Sequence, residues 1–126
     1  MNTLREEALW AVEAARHEGW IGEGDTSVLF HSWTQQKRYL DHLTTAFSHP
    51  RALHAVAIKT QPHVEILRRV VAWGYGLEAA SMEEVQLARK AGCPPERIVF
   101  DSPVKTRREI EQCQEELHGI RFNVNT

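Results

Sequence analysis

The sequence predicts an α/β protein built on a parallel sheet. From residue 53 onward, short apolar runs alternate with segments that carry apolar residues at helical spacing, and the connections between them are short. Strands joined through helices in this way run parallel and make right-handed crossovers. The pattern alone allows either an open doubly wound sheet or part of a barrel. A complete barrel needs roughly 250 residues, and this chain has 126.

The first third of the chain predicts two helices and one strand. Residues 3–18 have apolar side chains at helical spacing, and the apolar run at 28–30 predicts a short strand. Thr34 is predicted to cap the second helix. That helix would carry one apolar face, made of Leu40, Leu43 and Phe47.

The regular part of the chain begins with residues 53–58, a compact apolar run typical of a strand buried on both faces. Pro62 suits the first turn of the helix that follows. Later helices open at Ser81 and Thr106, each with a glutamate three residues on, which is the spacing of a capping box. Further strands are predicted at 76–80, 97–100 and 120–124.

Composition excludes several classes of function. Hydrophobic residues make up 42% and charged residues 25%, as in ordinary globular proteins. The formal net charge of -2 offers no basic surface for nucleic acid, and no apolar run approaches the roughly 20 residues that cross a bilayer. The N-terminus lacks a signal-peptide core, so we expect a cytoplasmic protein. Cys93 and Cys113 form no disulfide framework, and no Cys, His and acid cluster has zinc-site spacing, so no metal is predicted.

Lys59 is the candidate functional residue. It lies at the C-terminal end of the most apolar strand, on the edge of a parallel sheet where ligands and catalytic groups gather. A partly desolvated amine there would have a lowered pKa and could form a Schiff base with an aldehyde. From position alone, the alternative is that Lys59 ends the strand and extends into solvent.

Five segments carry a resemblance to a known family, in order along the chain: residues 54–62, 64–67, 76–85, 94–106 and 122–124. They resemble the ornithine/diaminopimelate/arginine decarboxylases, whose barrel is of the alanine-racemase type. Residues 54–62 are similar to the segment that carries the cofactor lysine, and 64–67 to the helix after it. Residues 76–85 resemble a Gly-Phe-Asp segment followed by Ser-x-x-Glu. Residues 94–106 resemble the Pro-Pro-Glu-Arg-Ile-Val-Phe block, and 122–124 the next barrel strand.

The resemblance implies a partial (β/α)8 TIM barrel. It runs from about Val28 to the last residue and would supply about the first four parallel strands with their helices. The predicted domains are an N-terminal helical extension at 1–26 and the N-terminal half of a barrel that binds pyridoxal phosphate at 27–126.

The resemblance also implies a cofactor and a reaction. Pyridoxal 5'-phosphate would be attached to Lys59 through a Schiff base, in a decarboxylase of a basic or diamino acid. Glu78 matches a family aspartate near the lysine, and Glu84 matches an acid one turn after Ser81, so these three join Lys59 as candidate cofactor-binding residues. Alternatives stay open, because Ser81 and Glu84 could form only a capping box and Glu78 could be only a polar residue at a strand end. Gln61 stands where the family usually has Asn, and Glu78 where it has Asp, so each is one methylene longer.

The family's phosphate-binding glycine loop, the acid that pairs with the pyridine nitrogen and a C-terminal β domain have no counterpart in this sequence. We therefore expect little or no decarboxylation by this chain alone, and either a homo-oligomer or a complementary chain that completes the barrel. The chain could be part of a full decarboxylase, one half of a split enzyme, or a non-catalytic interaction or regulatory module.

Two other enzyme classes stay open. A racemase-like barrel that binds pyridoxal phosphate is disfavoured by the residues after Lys59. An aldolase that forms a Schiff base without the cofactor is disfavoured by the block at 94–106.

Overall fold

The computed structural model describes residues 4–124, which form two compact units that divide between His42 and Leu43. The first unit holds α1 (Leu4–His17) and most of α2 (Trp33–Ala46), whose last turn lies beyond the division. The helix predicted from residue 3 is confirmed from Leu4 onward, and Thr3 lies outside the described residues. No helix in the range 4–124 is both long and apolar enough to cross a membrane.

Two predictions for this part of the chain are wrong. Residues 28–30 form an exposed irregular segment and not a strand. No strand within residues 4–124 pairs with them. Thr34 does not cap α2. The helix begins two residues earlier than that cap would require, at Trp33, and the Ser32 hydroxyl accepts the Gln35 N–H at 3.3 Å, as the side chain before a helix should.

The second unit is a parallel sheet with helical crossovers. Its strands lie in the order β1-β2-β3-β4, with every neighbouring pair parallel. The strands are β1 (Ala55–Ala57), β2 (Gly76–Ala79), β3 (Ile98–Phe100) and β4 (Arg121–Phe122). The helices between them are α3 (Val64–Ala72), α4 (Met82–Lys90) and α5 (Arg107–Glu116). The predicted alternation of strands and helices is confirmed, although each strand is shorter than its apolar run.

The core lies between one face of the sheet and the helices. Leu77, Ile98 and Phe100 are fully buried on that face, and α3 and α4 pack against β2. α3 contributes the buried side chains Ile66, Leu67, Val70 and Val71. α4 contributes Val85 and Ala88.

The opposite face of the sheet is less covered. Ala57, Glu78 and Val99 are paired in register across β1, β2 and β3, and each is only half-buried. The prediction that residues 53–58 are buried on both faces is therefore wrong. The strand is an edge strand of the described sheet, and its three residues are all half-buried.

Two of the three crossover helices, α4 and α5, begin with a side-chain cap, and α3 begins later than predicted. Thr106 and Glu109 form the predicted capping box of α5 in full. Pro62 does not lie in the first turn of α3, which starts at Val64 after His63 as N-cap. A 3₁₀ turn at Ile58–Thr60 follows β1 directly, and residues 61–63 separate it from α3.

At Gly76 the start of β2 lies very close to the backbone just before β3. A Cβ built on it would lie 2.4 Å from the backbone oxygen of Arg97 and 3.1 Å from Leu53 Cδ1. Its N–H donates to the His54 carbonyl at 2.8 Å, which fixes the start of β2 beside β1. Because a backbone oxygen cannot move aside as a flexible side chain can, only glycine fits this position.

We expect Gly76→Ala to lower the free energy of unfolding by about 2 kcal/mol, as overpacking at a rigid site does. Gly24→Ala is the matched control, since a Cβ there meets nothing within 4 Å, and it should change stability by less than about 0.5 kcal/mol. Chemical denaturation of both variants checks this. If the two variants were equally stable, the backbone at Arg97 would have moved to make room for the added methyl group.

Candidate active site

Lys59 lies in the 3₁₀ turn that follows β1, at the carboxyl edge of the sheet. The turn is fixed by two hydrogen bonds: Gln61 N–H donates to the Ile58 carbonyl at 3.0 Å, and the Thr60 hydroxyl donates to the Ala57 carbonyl at 2.7 Å. Ile58 is fully buried and anchors the turn in the core. The Lys59 side chain is exposed. The backbone of the lysine is therefore held firmly, whereas its amine does not have the desolvated surroundings that the sequence led us to expect.

Glu78 carries the most unusual group of the site. The turn that holds Lys59 contacts β2, and Glu78 lies on β2 in register with Ala57. The residue is half-buried, yet its Oε1 is buried and has no hydrogen-bond partner within residues 4–124. Buried carboxylate oxygens in native proteins nearly always have a donor. This oxygen thus provides an acceptor for a donor that the described protein atoms do not supply.

Ser81 and Glu84 cap α4, as the alternative interpretation predicted. The Ser81 hydroxyl accepts the Glu84 N–H at 3.3 Å, and Glu84 Oε2 accepts the Ala80 N–H at 2.7 Å. In a standard capping box the glutamate would bind the N–H of the cap residue itself, so the bond is shifted here by one residue. α4 contacts the turn of Lys59. The two caps therefore fix the amino end of a helix that contacts the turn carrying Lys59.

The neighbouring Glu83 is stabilised as a carboxylate by the same cap. Hydrogen bonds from its own backbone N–H and from Ser81 hold the pKa of Glu83 below its usual range. Negative charge at the first turn of a helix also interacts favourably with the helix dipole.

Asn123 is a polar residue of this edge that sequence reasoning missed. It follows β4 directly, and its Nδ2 donates to Asp101 Oδ1 at 2.9 Å. A polar residue immediately after a short apolar strand was the available signal. Asn123 was missed because the predicted strand at 120–124 included it, whereas β4 ends at Phe122.

The thiols offer no rival nucleophile. Cys93 and Cys113 are free and buried, and burial raises the pKa of both. A buried thiol with a raised pKa holds little thiolate and is inert. Within residues 4–124, no three Cys, His, Asp or Glu side chains are grouped so that they could hold a metal ion.

The chain matches a family model described as pyridoxal-dependent decarboxylase, pyridoxal binding domain, over residues 34–125. Diaminopimelate decarboxylase of Zymomonas mobilis is 33% identical over 100 residues, which cover 79% of this chain and 24% of that protein. Ornithine decarboxylase of Rattus norvegicus is 34% identical over 70 residues, which cover 56% of this chain and 15% of that protein.

Solved structures agree with this match. Diaminopimelate decarboxylase of Helicobacter pylori, complexed with L-lysine, has a TM-score of 0.75 at 28% identity and covers 87% of this chain. The match covers 28% of the Helicobacter chain and 24% of the Zymomonas protein, so this chain spans less than a third of either. The described sheet is part of a TIM barrel, and the predicted partial barrel is confirmed.

We expect Glu84→Ala to lower the free energy of unfolding by about 1 kcal/mol, the usual contribution of a helix cap. Glu84→Gln should retain most of that stability, since the amide oxygen can still accept the Ala80 N–H. Thermal unfolding of the two variants distinguishes them. If Gln destabilises as much as Ala, the charge of Glu84 matters more than its hydrogen bond.

Proposed function

The chain belongs to the pyridoxal-dependent decarboxylase family, and we propose that Lys59 is the residue that holds the cofactor. The family's cofactor is pyridoxal phosphate. The observation that carries the proposal is the unsatisfied Oε1 of Glu78, which lies on β2 in register with Ala57, two residues before Lys59.

The residues around Lys59 fit a flat aromatic cofactor. The sheet face that carries Glu78 is lined on β1 by Ala55 and Ala57, which have small side chains. Small residues leave room for a ring to lie close to the strands. The buried oxygen of Glu78 then meets its hydrogen-bonding requirement through a donor outside the described protein atoms.

When bound, pyridoxal phosphate withdraws electrons from the α-carbon of an amino acid, so that carbon dioxide can leave. Lys59 Nζ is the attachment atom, and the 3₁₀ turn fixes the backbone from which it extends. Glu78 Oε1 would accept a hydrogen bond from a group of the ligand and thereby hold that group beside β2. We include Ser81 and Glu84 in the proposed site because they hold the amino end of α4 against the lysine turn.

The proposed activity of the whole protein is decarboxylation of a basic or diamino acid. Support comes from the relatives, which are named for diaminopimelate and ornithine, both diamino acids. We propose that this chain does not complete the active site alone, and that a second copy or a complementary chain does. One face of the described sheet is only partly covered, and β1 and β4 form its two outer edges, which supports this. The 1–26 and 27–126 division and a cytoplasmic location stay predictions.

A non-catalytic interaction module is the second candidate. The first unit, taken by itself, buries only Ala15 within α1 and nothing within α2. Large apolar side chains are exposed along it, namely Leu4, Leu9, Trp10, Trp20, Val28, Leu29 and Phe30. Exposed apolar surface of this extent is typical of a protein–protein contact.

We expect reduction with borohydride in the presence of pyridoxal phosphate to label this chain once, on the peptide that contains Lys59. Lys59→Arg should abolish the label, while Lys90→Arg, a change of another exposed lysine, should leave it intact. Peptide mapping by mass spectrometry gives the site. Labelling scattered over the lysines, or retained in Lys59→Arg, would favour the interaction module.

Glu78→Met should separate folding from cofactor binding. Removing an unsatisfied buried oxygen should raise the free energy of unfolding of the cofactor-free chain by about 1 kcal/mol, while the yield of labelled Lys59 should fall several-fold. Glu115→Met, a change of an exposed glutamate, is the control and should alter neither. Destabilisation by Glu78→Met would contradict the assignment, because it would mean that the carboxylate is already satisfied.

A further inference from the structure

The end of β4 is held mainly by side chains. This strand has only two residues, and the Asn123 N–H extends its ladder by one bond to the Phe100 carbonyl, at 3.1 Å. Beyond that, Asn123 Nδ2 donates to Asp101 Oδ1 at 2.9 Å, and the Asn123 carbonyl accepts from Lys105 Nζ at 2.6 Å. The side chain and the carbonyl of Asn123 are thus both held by the loop that follows β3.

Lys105 joins that loop to the strand. Its ammonium also donates to the Ser102 carbonyl at 2.8 Å and lies 5.6 Å from the centre of the Phe100 ring. Hydrogen bonds from a charged donor are stronger than neutral ones, and the ring face attracts the cation. A lysine can bridge two carbonyls in this way because its ammonium has three donors and no acceptor.

The loop itself is shaped to receive the ammonium. The Ser102 hydroxyl donates to the Val104 carbonyl at 2.6 Å and accepts the Val104 N–H at 3.3 Å, and Ser102 is buried. This turn directs the Ser102 carbonyl toward Lys105. The loop, the lysine and the end of β4 therefore form one connected unit.

We propose that Lys105 is a positioning residue, which clamps the loop at 101–106 to Asn123 and so sets the rim formed by the carboxyl ends of β3 and β4. That rim lies on the same edge of the sheet as Lys59. Neighbouring strands are about 4.8 Å apart, so the end of β3 lies about 10 Å from that of β1. This is within reach of a cofactor with a substrate attached at Lys59. The link to the cofactor rests on the proposed function, whereas the clamp does not.

The test compares Lys105→Met, Lys105→Arg and Lys90→Met. Methionine keeps the length of the side chain but has no donor, arginine restores a cation with several donors, and Lys90 is an exposed lysine at the end of α4. Amide hydrogen exchange by NMR measures the clamp at Asn123, with Leu77 in β2 as internal reference. The pyridoxal phosphate concentration that gives half-maximal reductive labelling of Lys59 measures the effect on the site.

Lys105→Met should speed exchange of the Asn123 amide at least tenfold, leave Leu77 unchanged, and raise the half-maximal concentration several-fold. Lys105→Arg should restore both values, and Lys90→Met should change neither. Unchanged exchange at Asn123 would overturn the clamp. Faster exchange with an unchanged half-maximal concentration would overturn the positioning role.

Failure of the proposed function and failure of the clamp can be distinguished. If the unaltered chain captures no cofactor at Lys59, the proposed function and the positioning role both fail, while the exchange data still decide whether the clamp exists. If Lys105→Met unfolds, Lys105→Gln, which keeps one donor group on a shorter side chain, replaces it and should show a smaller change in the same direction.

Discussion

The packing of α3 and α4 against one face of the sheet is the constraint on which the rest of the second unit depends. Successive side chains of a strand point to opposite faces. Once Leu77 and Ala79 are buried beneath the helices, Glu78 has to lie on the other face. The parallel register then places it beside Ala57, just before the turn of Lys59. The hydrophobic core thus determines which acid accompanies the lysine.

The sequence predicted correctly those features that depend on local signals. The helices beginning at Ser81 and Thr106 were predicted correctly, because a cap and an apolar face indicate the same start. The strand at 76–80 was predicted almost to the residue. These elements are local, and their neighbours in the chain are also their neighbours in space.

Features that depend on distant contacts were harder to predict. The apolar run at 28–30 has the composition of a strand, but a strand exists only where another one pairs with it. The exposure of Lys59 depends on what covers the sheet, and no local pattern encodes that. The sequence identified Glu78 only through a family resemblance. Its lack of a hydrogen-bond partner is a property of the folded surroundings.

Ser81 and Glu84 cap α4 and are also part of the proposed site. The oxygen of Glu84 that binds the Ala80 N–H fixes the beginning of α4, and the helix dipole adds positive potential there. Ser81 and Glu84 therefore have two explanations that do not exclude each other. By fixing the start of α4, they also fix a helix that contacts the turn carrying Lys59.

The burial of the two thiols has a practical consequence for handling the molecule. Because Cys93 and Cys113 are enclosed and hold little thiolate, oxidants and alkylating reagents should reach them only when the sheet and its helices separate. Storage in air should leave the folded chain reduced. The rate of thiol alkylation would then report how often the core opens, without any added probe.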